Sequence, residues 1–197
     1  MTTPQMSASA AATTAAVSSV ALGVDPEHER PPSRHWYSRL CGRLSKISLV
    51  LAILGLAGII LSVQIQVFGR YVLNDTPTWA EALALQLVLY VTALGVAVGV
   101  RDAGHIGLES LVSLLPESMR LKLEILIHLL VALFGGIMVQ SGMLWTRMKW
   151  GELDPMLQLP VGIDYLSLVI AGVLIVMFSF EHIVALLRDE EVVPSWY

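Results

Sequence analysis

WAEALALQLVLYVTALGVAVGVRDAGHIGLE, running from Trp79 to Glu109, is the stretch on which the fold turns. After Trp79 and Glu81 it carries no charge for 19 residues, Ala82 to Val100, and then closes on Arg101, Asp102 and His105. As a helix those uncharged residues span about 29 Å, close to the hydrocarbon thickness of a bilayer. A tryptophan at one border and a charged cluster at the other suit the two headgroup zones. The stretch reads as a transmembrane helix with a polar exit, and the rest of the chain as its packing partners.

Three other runs share this character. Ile47 to Gly69 gives 23 uncharged residues and Ile125 to Thr146 gives 22. The last run, Tyr165 to Leu187, is uncharged for 16 residues and then holds Glu181 and His182. Composition agrees: 55% of residues are hydrophobic, only 14% are charged, and mean hydropathy is +0.71. Soluble domains carry about 25% charge. The expected fold class is therefore all-α, an integral membrane protein with four transmembrane helices over about 47–69, 80–100, 123–146 and 163–187. With the amino terminus inside, the inner segments hold Arg30, Arg34, Arg39, Arg43, Lys46, Arg101, Arg120, Lys122 and Arg188. The outer loops hold only Arg70, Arg147 and Lys149, so both termini are expected in the cytoplasm.

The flanks are simpler. Residues 1–33, rich in Ala, Ser and Thr, are expected to form a disordered cytoplasmic tail. No basic residue precedes the weakly apolar Ala15–Val24, which argues against a signal peptide. After Pro31 and Pro32, Arg34, Arg39, Arg43 and Lys46 surround Trp36, Tyr37, Leu40 and Ile47. That pattern suits a short basic amphipathic stretch on the headgroup surface, at the start of a membrane domain over 34–190. In the inner loop, HIGLESLVSLL is apolar enough to hug the membrane, and Pro116 can open the third helix. Residues 191–197 form a C-terminal tail. A single cysteine, Cys41, excludes an intramolecular disulfide, and no basic stripe suggests nucleic acid.

Several residues invite a role inside the membrane. Gly95 and Gly99 form a G-x-x-x-G pair, and Ala132 with Gly136 a second small-residue face. Such notches admit another helix, from this chain or from another protein. Gln64, Gln66, Gln86 and Gln140 fall at similar depth and are expected to hydrogen-bond between helices, as is Tyr90. His128 and His182 lie at one depth near the inner border, where they make a candidate pair of haem ligands. Glu124 stands one helical turn before His128. Glu181 is the acid well inside a span, with pairing, partner contact or proton relay as its readings. No nucleophile set, phosphate loop or paired carboxylates appear, so an enzyme is not expected, nor is a cofactor or metal.

The order of these elements resembles the small membrane subunit of tripartite ATP-independent periplasmic (TRAP) transporters, the DctQ-like family. The resemblance covers residues 47–187 and rests on GRYVLN (Gly69–Asn74), TWAEAL (Thr78–Leu83) and ALGVAVGVRDAGHIGLE (Ala93–Glu109). It continues through LLPESMR (Leu114–Arg120) and DPMLQLPVGIDYL (Asp154–Leu166). There are departures: Ala82 follows Glu81 where a second acid is usual, Leu85 and Gln86 replace a charged turn, and Asp154 replaces a threonine.

The resemblance implies a non-catalytic inner-membrane subunit bracing a large permease. A periplasmic substrate-binding protein would deliver an organic acid, and an ion gradient would drive its uptake. It also points to outer-end contacts with lipid or a partner at Arg70, Trp79, Glu81 and Gln86, and to a helix notch at Gly95 and Gly99. At the inner end Arg101, Asp102 and His105 are expected to fix the turn through hydrogen bonds and phosphate contacts, and Glu181 to pair or to meet a partner. Two rivals stand beside this reading: a stand-alone small multi-span carrier, and a haem-binding anchor of a redox complex using His128 and His182.

Overall fold

Each uncharged run becomes the middle of one long helix. In the computed structural model, which describes residues 36–75, 77–102, 117–188 and 192, α1 spans Trp36–Phe68 and α2 spans Thr78–Asp102. Helix α3 covers Glu117–Lys149 and α4 covers Gly162–Leu187. All four are long and apolar enough to cross a membrane, and the described residues contain no β-strand. The tail over 1–33, the HIGLESLVSLL segment with His105, and the C-terminal tail apart from Val192 lie outside the described residues.

The basic stretch is not a separate surface helix. Helix α1 runs unbroken through it, so Arg39, Arg43 and Lys46 sit on the first turns of the spanning helix itself. No proline interrupts residues 36–68, and once a helix is nucleated each added residue contributes a backbone hydrogen bond. At 33 residues α1 is about 50 Å long, well beyond the hydrocarbon thickness. Its apolar part begins only at Ile47.

At its far end α1 widens into a π-helical turn, Gly69–Leu73, closed by Asn74 in the left-handed region at φ 51°. Gly69 is obligatory there. A Cβ on it would stand 2.8 Å from the Asp75 carbonyl and 2.7 Å from Pro77 Cδ. The turn leaves Arg70, Tyr71, Val72 and Leu73 exposed. The link between α3 and α4 is equally defined, with a single bridge between Leu153 and Pro160. Asp154 Oδ1 accepts from the amides of Met156 and Leu157, each at 2.8 Å. A threonine hydroxyl would make a weaker turn of the same kind.

The helices do not close into a ring around a core. Helix α1 packs along α2, α2 along α4, and α4 along α3, while α1 reaches α4 only near its start. The result is a row in the order α1, α2, α4, α3. Burial follows: half of the apolar window of α4 is buried, against 17% for α1 and 11% each for α2 and α3.

Small residues set the closest contact. Gly135 of α3 and Gly172 of α4 face each other so tightly that a Cβ on Gly172 would lie 2.7 Å from the Gly135 carbonyl. The sequence points to Ala132 and Gly136 as the notch on α3. The structure uses the neighbouring Gly135, together with Gly142, and leaves Gly136 in open space.

Candidate functional site

At the end of the row where α1 begins, side chains from all four helices meet around one buried guanidinium. Arg101 ends α2, and Glu181 lies one and a half turns before the end of α4. Arg101 Nε donates to Glu181 Oε2 at 2.9 Å and Nη2 donates to Oε1 at 3.2 Å, a two-point clamp. Nη1 donates to Asp102 Oδ1 at 3.0 Å. Ser38 of α1 donates its hydroxyl to Glu181 Oε1 at 2.8 Å. Both partners of the clamp are 2% exposed at the side chain, and the Phe178 ring lies 6.0 Å from the guanidinium carbon.

Each group answers a need of the local structure. The last carbonyls of α2 have no partner within the helix. His182 supplies one, with Nε2 at 2.8 Å from the Arg101 carbonyl. A carbonyl only accepts, so that contact places the proton on Nε2. The His182 ring stacks on His128 of α3, centroids 4.5 Å apart and planes 6° off parallel. Tyr37 of α1 donates to the Met177 carbonyl at 2.9 Å and meets the Phe180 ring edge-on. Cys41 and Ser45, one and two turns further along α1, are fully buried.

This arrangement holds helices together. A buried ion pair is a weak source of net stability but a strong positional constraint, because either partner alone would be an uncompensated charge. Ser38→Ala removes a hydroxyl hydrogen bond to the clamp carboxylate and is expected to weaken the α1 junction by about 1.5 kcal/mol. Maleimide labelling of Cys41, the sole cysteine of the chain, checks this. A roughly tenfold faster rate is expected, and an unchanged rate would show that the hydroxyl holds nothing.

The two histidines do not suit haem. Axial ligands approach the iron from opposite faces of the porphyrin, whereas these rings lie face to face at 4.5 Å, and His182 Nε2 is already engaged by a carbonyl. Among the described residues no group of three or more His, Cys, Asp or Glu is arranged to hold a metal.

Arg101, Asp102 and Glu181, expected to hydrogen-bond at the inner turn or to pair as well as to meet lipid or a partner, are turned inward against one another. Their shared depth at the ends of α2 and α4 was a signal for this pairing. At the opposite end Arg70 and Trp79 are exposed, and exposed Glu81 accepts from Gln66 Nε2 at 3.3 Å, tying α2 to α1. Gln86 is half-buried, and Tyr90 donates to the Ile163 carbonyl of α4 at 2.8 Å. The glutamines do not converge. Gln140 sits on α3, at the far edge of the row from Gln64 and Gln66, and both Gln64 and Gln140 are exposed. Gly95 and Gly99 have open space where a Cβ would point, so the G-x-x-x-G notch is unused by the described residues. A lateral groove of about 720 Å³ lies beside the π turn, between Leu61, Phe68 and Pro77.

Residues 59–189 match the family model described as tripartite ATP-independent periplasmic transporters, DctQ component. The chain is similar to the sialic acid TRAP transporter small permease protein SiaQ of Vibrio cholerae, 23% identical over 147 residues. That covers 74% of this chain and 84% of the relative. It is 30% identical over 79 residues to the C4-dicarboxylate TRAP transporter small permease protein DctQ of Pseudomonas aeruginosa, 40% of this chain and 38% of that one. A third likeness, 36% over 66 residues, is to the sialic acid TRAP transporter permease protein SiaT of Haemophilus influenzae, covering 34% of this chain and 11% of that protein.

Proposed function

Since this chain belongs to the DctQ-component family of the tripartite ATP-independent periplasmic transporters, we propose that it braces a large permease subunit in the inner membrane and moves no solute itself. The observation that carries this reading is the row. Helices packed α1, α2, α4, α3 present two faces and two edges and, among the described residues, enclose no interior through which a solute could pass. Charge placement supports it as well. The uncharged runs fill the middle of every span, whereas an ion-coupled carrier needs charge near the midplane.

In the full system a periplasmic binding protein delivers an organic acid to the large subunit, and a sodium or proton gradient drives uptake. The names of the relatives, sialic acid and C4-dicarboxylate, both denote carboxylates and favour that substrate class. Both termini lie in the cytoplasm, which puts the Arg101–Glu181 junction at the inner border and the π turn at the outer one. The open side of α2 around Gly95 and Gly99, with Arg70, Trp79 and Glu81 at the outer end, is the surface offered to the permease and to lipid.

Reconstitution tests the reading. Vesicles holding this chain, the large permease and the binding protein accumulate a radiolabelled organic acid under an imposed ion gradient. Vesicles holding this chain alone accumulate none, and those lacking only this chain lose the activity. Accumulation by the lone polypeptide would overturn the proposal.

A further inference from the structure

The unbroken course of α1 places three cations where a surface helix would not have put them. Arg39, Arg43 and Lys46 recur at spacings of four and three, so they share one side of the helix, and all three are exposed. The same spacing continues through Val50, Leu54, Ala57 and Leu61, which are also exposed. The opposite side carries the buried Cys41, Ser45 and Ser48. One outward stripe therefore changes from cationic to apolar between Lys46 and Val50, at the level where the uncharged run begins.

We infer that this stripe binds an anionic phospholipid of the leaflet at that end, its phosphate among Arg39, Arg43 and Lys46 and one acyl chain along Val50, Leu54 and Ala57. Charge complementarity selects that occupant. Arg39 and Arg43 carry this selection, since neither has an acidic partner among the described residues; Lys46 beside them also has a contact within the chain, and Lys149 at the other end of the row is held by Glu152 at 2.7 Å. Seven residues separate Arg39 from Lys46, about 10 Å along the axis, comparable to the depth of a headgroup zone. From Ile47 to Ala57 is about 15 Å, half the hydrocarbon thickness and so the reach of one acyl chain. The long cationic stems can lie along the helix while their heads meet the phosphate. This assignment goes beyond the bracing role and does not depend on which side of the membrane the termini occupy.

Native mass spectrometry of the full chain, in mild detergent with equal amounts of phosphatidylglycerol and phosphatidylcholine, tests it. Wild type retains phosphatidylglycerol roughly a hundredfold over phosphatidylcholine. Each single change among Arg39→Gln, Arg43→Gln and Lys46→Gln lowers that preference by roughly fivefold, and the triple variant brings it to parity. Arg70→Gln with Arg147→Gln and Lys149→Gln alters net charge equally and leaves the preference intact. No preference in wild type, or an equal fall in this second triple variant, overturns the inference. So does loss of the bound lipid when the chain is purified with its permease, because that would mean protein covers the stripe.

Discussion

Glu181→Ala should open the junction enough for the Cys41 thiol to react with maleimide roughly two to three orders of magnitude faster than in the native chain. The thiol is fully buried one turn from Ser38, in a cluster with Ala97 of α2 and Phe178 of α4, so it reacts only when α1 separates from both. Removing the carboxylate breaks the two-point clamp and leaves the buried Arg101 with Asp102 as its acidic partner, and breaking a buried pair on one side is worth about 3–5 kcal/mol. At about 1.4 kcal/mol per factor of ten, that shift in the open population gives the stated acceleration. Arg101→Ala has the same expected effect from the other side. The triple change Arg101→Met, Asp102→Asn and Glu181→Leu removes all three charges and fills the space, and should return the rate to within about tenfold of wild type. A rate for Glu181→Ala within twofold of wild type would mean that packing alone holds α1, and the clamp would lose its assigned role.

The second large effect lies at the other contact of α4. Gly172→Val places a side chain where the Gly135 carbonyl stands 2.7 Å away and the Val139 amide nitrogen 3.0 Å away. Both are backbone atoms of a helix and cannot rotate aside. Forced overpacking of this kind destabilises by about 3 kcal/mol. Thermal unfolding in detergent, followed by far-ultraviolet circular dichroism, should show Tm lowered by about 10 °C. Gly136→Ala is the matched comparison, because nothing lies within 4 Å of the added carbon. That variant should unfold at the native temperature or slightly above, since alanine favours a helix over glycine. Equal behaviour of the two variants would remove Gly135–Gly172 as the point of closest approach.

The sequence carried the spans and their number because hydrocarbon imposes a length and a lack of charge that can be counted residue by residue. Depth was legible too. His128 and His182, placed at one level by counting from the flanking cations, are in contact, although as stacked rings and not as ligands to a common iron. Neighbour order was not legible. Gly135 and Gly136 are chemically identical and adjacent, and only the azimuth of α4 decides which of them is pressed against Gly172. The clamp shows the same limit. Glu181 stands out as an acid inside a span, but its partner Arg101 lies 80 residues away and reads equally well as a headgroup contact. The basic stretch misleads for a related reason: amphipathic composition describes both a helix on a membrane and the emerging turns of a helix through it.

The position of α4 between α2 and α3 has a consequence for how the chain is made. Translation delivers α1 and α2 first, and they can pair at once as neighbours in both chain and space. Next comes α3, but its extensive partner in the row, α4, has not yet left the ribosome. Until the final helix is released and slides into the gap, a 33-residue segment waits in lipid without its lasting neighbour. A polypeptide cut short after Lys149 would leave that segment stranded, a natural substrate for the membrane proteases that clear unassembled helices.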